Sequence, residues 1–286
     1  MTEPRHNRVQ CLSPAGFHDM AYVEWGDPAN RRVLVCVHGL TRCGRDFDFL
    51  AADLAARYRV VCPDIVGRGR SDWLADKSLY DIPQYCADLV TLLARLDAET
   101  VHWVGTSMGG IIGMVLASRE RAPISRLVLN DVGPVVTAVS IARLGEYLGK
   151  TPRFVSVEAA EAFIRFVAAP FGALTDAQWR HLTVHVLRQA ADGMFDLAYD
   201  PGLAEPFRRG MGEGKDVDFW PVYDAIRCPT LLLRGAQSDL LRPETALEMT
   251  TRGPKSRLVE IAGVGHAPML LDESQIGIVR GFLLSG

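Results

Sequence analysis

The chain has 286 residues, 48% of them hydrophobic, and a formal net charge of −3 at pH 7. That is enough apolar chain to bury one large core carrying an insertion, while the charge supplies neither the basic patch that binds nucleic acid nor a polybasic membrane anchor. No run approaches the roughly 18 apolar residues of a membrane-crossing helix, and the first eight residues lack the apolar stretch of a secretory signal, so a soluble cytoplasmic protein is expected.

In chain order, Met20 to Trp25 and Val33 to Val37 read as strands. The second runs into His38-Gly39-Leu40, where a glycine allows a sharp turn with backbone N–H groups exposed beyond it. Phe47 to Arg57 has helical spacing and Val60 to Cys62 is strand-like. The turn from Pro63 to Ser71 holds Gly67 and Gly69, with Asp64 expected to cap local N–H groups. Pro83 to Leu96 reads as a helix. Val101 to Val104 is a strand that enters Gly105-Thr106-Ser107-Met108-Gly109, and Met108 to Ser118 is helical. Strand, tight turn and helix around G-x-S-x-G present a serine at a strained backbone, with glycines two residues to either side.

Leu127 to Asn130 forms the next strand and ends at Asp131. From Gly133 to about Ala225 the alternation breaks: helical patterns appear without a convincing strand, and more than half of the chain's aromatic residues fall here, among them Tyr147, Phe154, Phe163, Phe166, Phe171, Trp179, Phe195 and Trp220. Thr230 to Leu233 and Leu258 to Ile261 resume the strands, and Pro243 to Thr250 and Ser274 to Leu284 the helices. Asp239 follows the first of these strands and His266 the second. Asp272 and Glu273 suit a helix start. Runs apolar on both sides, alternating with helices, imply an α/β fold whose mostly parallel twisted sheet is covered on both faces.

Ser107, Asp239 and His266 arrive in the order nucleophile, acid, base, each at the C-terminal end of a strand. Asp131 also ends a strand and is the alternative acid; Asp239 is preferred for its G-x-x-S-D setting. The N–H groups of Leu40 and Met108 are candidates for an oxyanion hole. With these four ordered motifs the chain resembles the α/β-hydrolase superfamily, specifically its bacterial cap-bearing members, over nearly its whole length. The resemblance implies an α/β-hydrolase core over residues 1–132 and 226–286, with a helical cap over 133–225. Because position 107 is serine, the dehalogenase and epoxide hydrolase chemistries that the superfamily associates with aspartate there are not expected.

Other constellations invite plainer readings. His181 and His185 stand at i and i+4, the spacing of helical zinc sites, but no glutamate follows His181 and no third ligand is evident, so no metal is expected and a histidine facing the pocket is the better reading. His38 reads as structural and His102 as packing. The six cysteines, at 11, 36, 43, 62, 86 and 228, show no C-x-x-C and read as reduced core thiols, Cys43 lying nearest the oxyanion loop. The expected activity is cofactor-free hydrolysis of carboxylic esters, lactones included, on small to medium, partly apolar substrates. Carbon–carbon bond hydrolysis of ring-cleavage products is the first alternative. Aminopeptidase chemistry would need cap carboxylates among Glu146, Glu158, Glu161 and Asp196, and a ligand-sensing protein of this fold with little turnover is the remaining option.

Overall fold

The computed structural model describes residues 3–210 and 214–285. Eight strands form one sheet: β1 (Arg5–Ser13), β2 (Gly16–Trp25), β3 (Arg32–Val37), β4 (Arg59–Pro63), β5 (Thr100–Thr106), β6 (Ile124–Asn130), β7 (Thr230–Gly235) and β8 (Arg257–Ile261). Their spatial order is β1-β2-β4-β3-β5-β6-β7-β8. β1 and β2 run antiparallel to their neighbours, and the pairs from β4 to β8 are parallel.

Side-chain alternation divides the core into two layers. Val33, Val35 and Val37 of β3 face one way with Trp103, Leu127 and Leu129, under α2 (Ile82–Leu96) and α3 (Met108–Ala117), whereas Leu34 and Cys36 face the other way with Val104 and Val128. That second face is covered by Leu50 and Leu54 of α1 (Asp48–Leu54) and by Val279 and Leu283 from the C-terminal helix, Glu273–Leu284. A strand buried on both faces must be apolar throughout, which is why β3, β5 and β7 are recognisable in the sequence. β1 is not. Its buried positions, Val9, Cys11 and Ser13, alternate with the exposed Gln10 and Leu12, as suits a strand covered on one face.

The segment between β6 and β7 leaves from one strand and returns to its sheet neighbour. It contains α4 (Ala138–Tyr147), α5 (Val157–Val167), α6 (Asp176–Val184), α7 (Ala204–Gly210) and α8 (Trp220–Asp224). The expectation that it lacks strands is corrected: Arg153–Phe154, Phe195–Leu197 and Leu187–Gln189 form a three-stranded sheet, and Val135–Val136 pairs with Val217–Asp218. Runs of two or three residues are too short to leave a period-two signature. Local caps fix the helix starts: Ser156 accepts from the Ala159 N–H, and Thr175 and Gln178 form a reciprocal capping box. The segment docks on the core through Ile164, Trp179, Leu182 and Val186, packed in one cluster with Cys43, Met269 and Leu271. In the core, α9 (Pro243–Glu248) follows β7 and α10 (Glu273–Leu284) closes the chain. Among the described residues no helix is long and apolar enough to cross a membrane.

Candidate active site

Ser107 sits between β5 and α3 at φ 52°, ψ −116°, a conformation L-residues seldom hold. The flanking glycines are required by close backbone approach. A Cβ on Gly105 would lie 2.3 Å from the Gly109 carbonyl oxygen, and one on Gly109 would lie 2.1 Å from that of Val37. The hydroxyl thus stands clear of both elements.

His266 Nε2 lies 3.1 Å from Ser107 Oγ, and its Nδ1 lies 2.7 Å from Asp131 Oδ2. Asp131 is fully buried and also accepts from the Gly235 N–H at 2.8 Å and the Ser238 hydroxyl at 2.6 Å. The preference for Asp239 as the histidine's carboxylate partner is therefore corrected in favour of Asp131. In the G-x-x-S-D run it is Ser238, not Asp239, that reaches the histidine's partner. Asp239, with its side chain 57% exposed, turns to the inserted segment and bonds Arg143 of α4. That guanidinium, together with the weaker field of His266, lowers the Asp239 pKa despite partial burial. Strands β6 and β7 are sheet neighbours, so both carboxylates reach the same edge, and spacing alone does not rank them.

Leu40 and Met108 flank the serine. A Cβ on Gly39 would be 3.6 Å from Ser107 Cβ, so the backbone of this turn runs beside the hydroxyl. Met108 opens α3, where a helix N–H has no intrahelical acceptor, and among the described residues neither the Leu40 nor the Met108 N–H donates to a protein group. His38, wholly buried, bonds the Gly39 carbonyl through Nδ1 at 2.7 Å and accepts the Ile65 N–H at Nε2 at 2.9 Å. Burial pushes its pKa down to about 3, so it is a neutral brace for the turn. Asp64 accepts from the N–H groups of Gly44 and Arg70, both at 2.8 Å, which ties the turn after β4 to the loop that follows β3. Asn130, unremarked in the sequence, donates to Thr106 Oγ1 at 2.9 Å and to the Pro268 carbonyl at 2.7 Å, fixing the His266 loop against the serine turn.

Ser107 and His266 open on a cavity of about 1790 Å³ between the sheet edge and the inserted segment, lined also by Leu40, Met108, Arg143 and Asp239. Of the aromatic residues singled out, Phe163 and Phe171 reach it. Phe154 and Trp179 pack internally on Phe163 and Phe171, Trp220 packs on Tyr223, and Phe166 is 82% exposed. The Tyr147 side chain lies outside the described residues. Glu158 and Glu161 pair with Arg180 and Arg165, and Asp196 pairs with Arg153, none of them at the cavity.

His181 and His185 do not line the cavity, which corrects the pocket-facing reading. They contact each other edge to face beside Asp48, a third potential donor that sequence spacing did not reveal because it lies on α1. Arg45 already bonds that carboxylate at 2.6 Å, and His181 Nε2 bonds the Arg45 carbonyl at 3.0 Å. Burial and the neighbouring Arg45 push the His185 pKa down to about 3. The Asp48 carboxylate is thus engaged by Arg45 in this structure. All six cysteines are free, and burial pushes the Cys43 thiol well above its ordinary range, which opposes a nucleophilic thiolate.

The model of the alpha/beta hydrolase fold family matches residues 32–273. The 3-hydroxybutyrate-oligomer hydrolase of Cupriavidus necator is 52% identical, the alignment covering 98% of this chain and 97% of that protein. Among solved structures, a putative hydrolase from Rickettsia typhi superposes with a TM-score of 0.90 at 30% identity, covering 99% of each chain. An α/β hydrolase from Novosphingobium aromaticivorans gives 0.87 at 34% identity with the same coverage. The chain belongs to the α/β-hydrolase family, and its activity is hydrolysis of that type.

Proposed function

We propose that the protein is a serine hydrolase of carboxylic esters whose substrates are short oligomers of 3-hydroxy acids. The observation that carries the proposal is the hydrogen-bonded series Ser107–His266–Asp131 opening on the cavity. His266 Nε2 takes the Ser107 proton as Oγ attacks the ester carbonyl, and Asp131 holds the imidazole tautomer and stabilises the imidazolium. The Leu40 and Met108 N–H groups receive the oxyanion. His266 then protonates the leaving alkoxide, and water releases the acyl group by the reverse sequence.

The substrate class rests on the relative that is similar over nearly its full length. The cavity supports it: about 1790 Å³ exceeds the roughly 300–1,000 Å³ usual for small-molecule pockets, leaving room for several ester units. The inserted segment serves as the cap that shapes this space around the substrate. Incubation with the 3-hydroxybutyrate dimer and trimer should release monomer in wild-type protein and not in Ser107→Ala. Equal release by both proteins, or none by either while p-nitrophenyl esters turn over, would count against the proposed substrate.

A further inference from the structure

Arg68 is fully buried in the turn after β4, and none of the ion pairs among the described residues includes it. Arg234, the other buried arginine among the described residues, pairs with Glu260 at 2.6 Å. Tyr80, whose ring lies 5.9 Å from Arg68 Cζ, gives its hydroxyl to Asp200 at 2.6 Å, and that carboxylate already holds Lys77 at 2.5 Å. A buried cation without a carboxylate partner is costly, and here only neutral carbonyls, a thioether and tyrosine rings offset that cost.

The fork of Arg68 points at the oxyanion side of the site. Nε donates to the Leu40 carbonyl at 2.8 Å, Nη1 to the Val66 carbonyl at 2.8 Å, and Nη2 meets Met108 Sδ at 3.4 Å. Two of these contacts thus fall on the residues whose N–H groups are proposed to receive the oxyanion. The ring of Tyr85, 4.8 Å from Arg68 Cζ, covers the guanidinium. Arg68 does not line the cavity, so it meets no substrate. Its turn is clamped to the inserted segment by the Gly69 N–H on the Ala198 carbonyl and the Asp200 N–H on the Gly67 carbonyl.

We propose that Arg68 is a positioning residue for the oxyanion site: it pins the Leu40 backbone and the Met108 side chain, and its unpaired charge stands behind both N–H donors to stabilise the anionic tetrahedral intermediate. The proposal rests on Ser107 being the nucleophile. Removal of Arg68 is felt in the transition state and not in ground-state binding, because the ester carbonyl carries little charge until attack.

The test compares wild type, Arg68→Gln and Arg68→Lys on a p-nitrophenyl ester and on phenylboronic acid, which forms an anionic tetrahedral adduct with an active-site serine. Arg68→Gln should lower kcat by about 10- to 100-fold, less than loss of a direct donor. KM should stay within about twofold, and boronate affinity should weaken by the same factor as kcat. Arg68→Lys, which keeps the charge, should recover most of both. A folded Arg68→Gln with kcat and boronate affinity near wild type, or with its loss in KM alone, overturns the proposal. If circular dichroism shows Arg68→Gln unfolded, Arg68→Lys decides: a fall in kcat without a matching loss of boronate affinity overturns it. Boronate binding and turnover that survive in Ser107→Ala would instead overturn the nucleophile reading.

Discussion

At Ser107 the backbone is held at φ 52° by contacts that leave no room for adjustment, since Gly109 lies against the Val37 carbonyl. Gly109→Ala must push one backbone segment off another, and we expect a loss of about 3 kcal/mol in urea unfolding. A loss below about 0.5 kcal/mol would show that the turn yields. Ser107 and His266 were legible because the serine turn and the terminal histidine carry local glycine signatures. The histidine's carboxylate was not, because two neighbouring strands each end beside an aspartate and the choice depends on where each side chain turns. Asp131, at φ 54°, turns inward to Gly235, Ser238 and His266, while Asp239 turns outward to Arg143. Arg68 left no signal because its role needs contacts with Leu40 and Met108, remote in sequence.

Among the elements, the inner strands were readable through continuous apolar runs and the helices through their spacing and caps. The small sheets of the inserted segment and the edge strand β1 were not, being respectively too short and too polar. The joint between inserted segment and core rests on buried apolar side chains, with Leu182 of α6 fully enclosed. Leu182→Ala should cost about 2–5 kcal/mol. As the cavity lies between the same two parts, its KM for the 3-hydroxybutyrate trimer should rise more than its kcat falls. Steady-state kinetics that show kcat alone reduced would contradict this account of the segment as a substrate-shaping cap.

For the whole molecule, neutral buried histidines set the acid limit. Burial pushes the pKa of His38 to about 3, His185 to about 3 and His102 to about 4, against an ordinary 6.5. Between these folded values and 6.5 the unfolded chain binds more protons, so stability rises with pH across that window and is lost as pH falls through it. Asp48, raised to about 6 mainly by burial, and Asp64, also raised by burial, act in the opposite sense above the ordinary carboxylate range, and His18, raised by Asp88, does so near and above pH 6.5, against these three histidines. For His38 alone, which is completely enclosed, the slope is about 1.4 kcal/mol per pH unit mid-window. Urea midpoints should therefore fall from pH 6.5 to pH 4, and His38→Asn should flatten that slope. A midpoint independent of pH in this range would contradict the neutral-histidine account.

The carboxylate that serves His266 is the assignment on which the mechanism depends. It is tested most directly by kcat on the 3-hydroxybutyrate trimer for Asp131→Asn and Asp239→Asn, each verified as folded. With Asp131 as the histidine's partner, Asp131→Asn should lose about four orders of magnitude, as expected when the imidazole tautomer is no longer held. Asp239→Asn should stay within about tenfold of wild type, since it loses only a solvent-exposed contact with Arg143. The reverse ranking, or equal losses in the two variants, would contradict the assignment of Asp131.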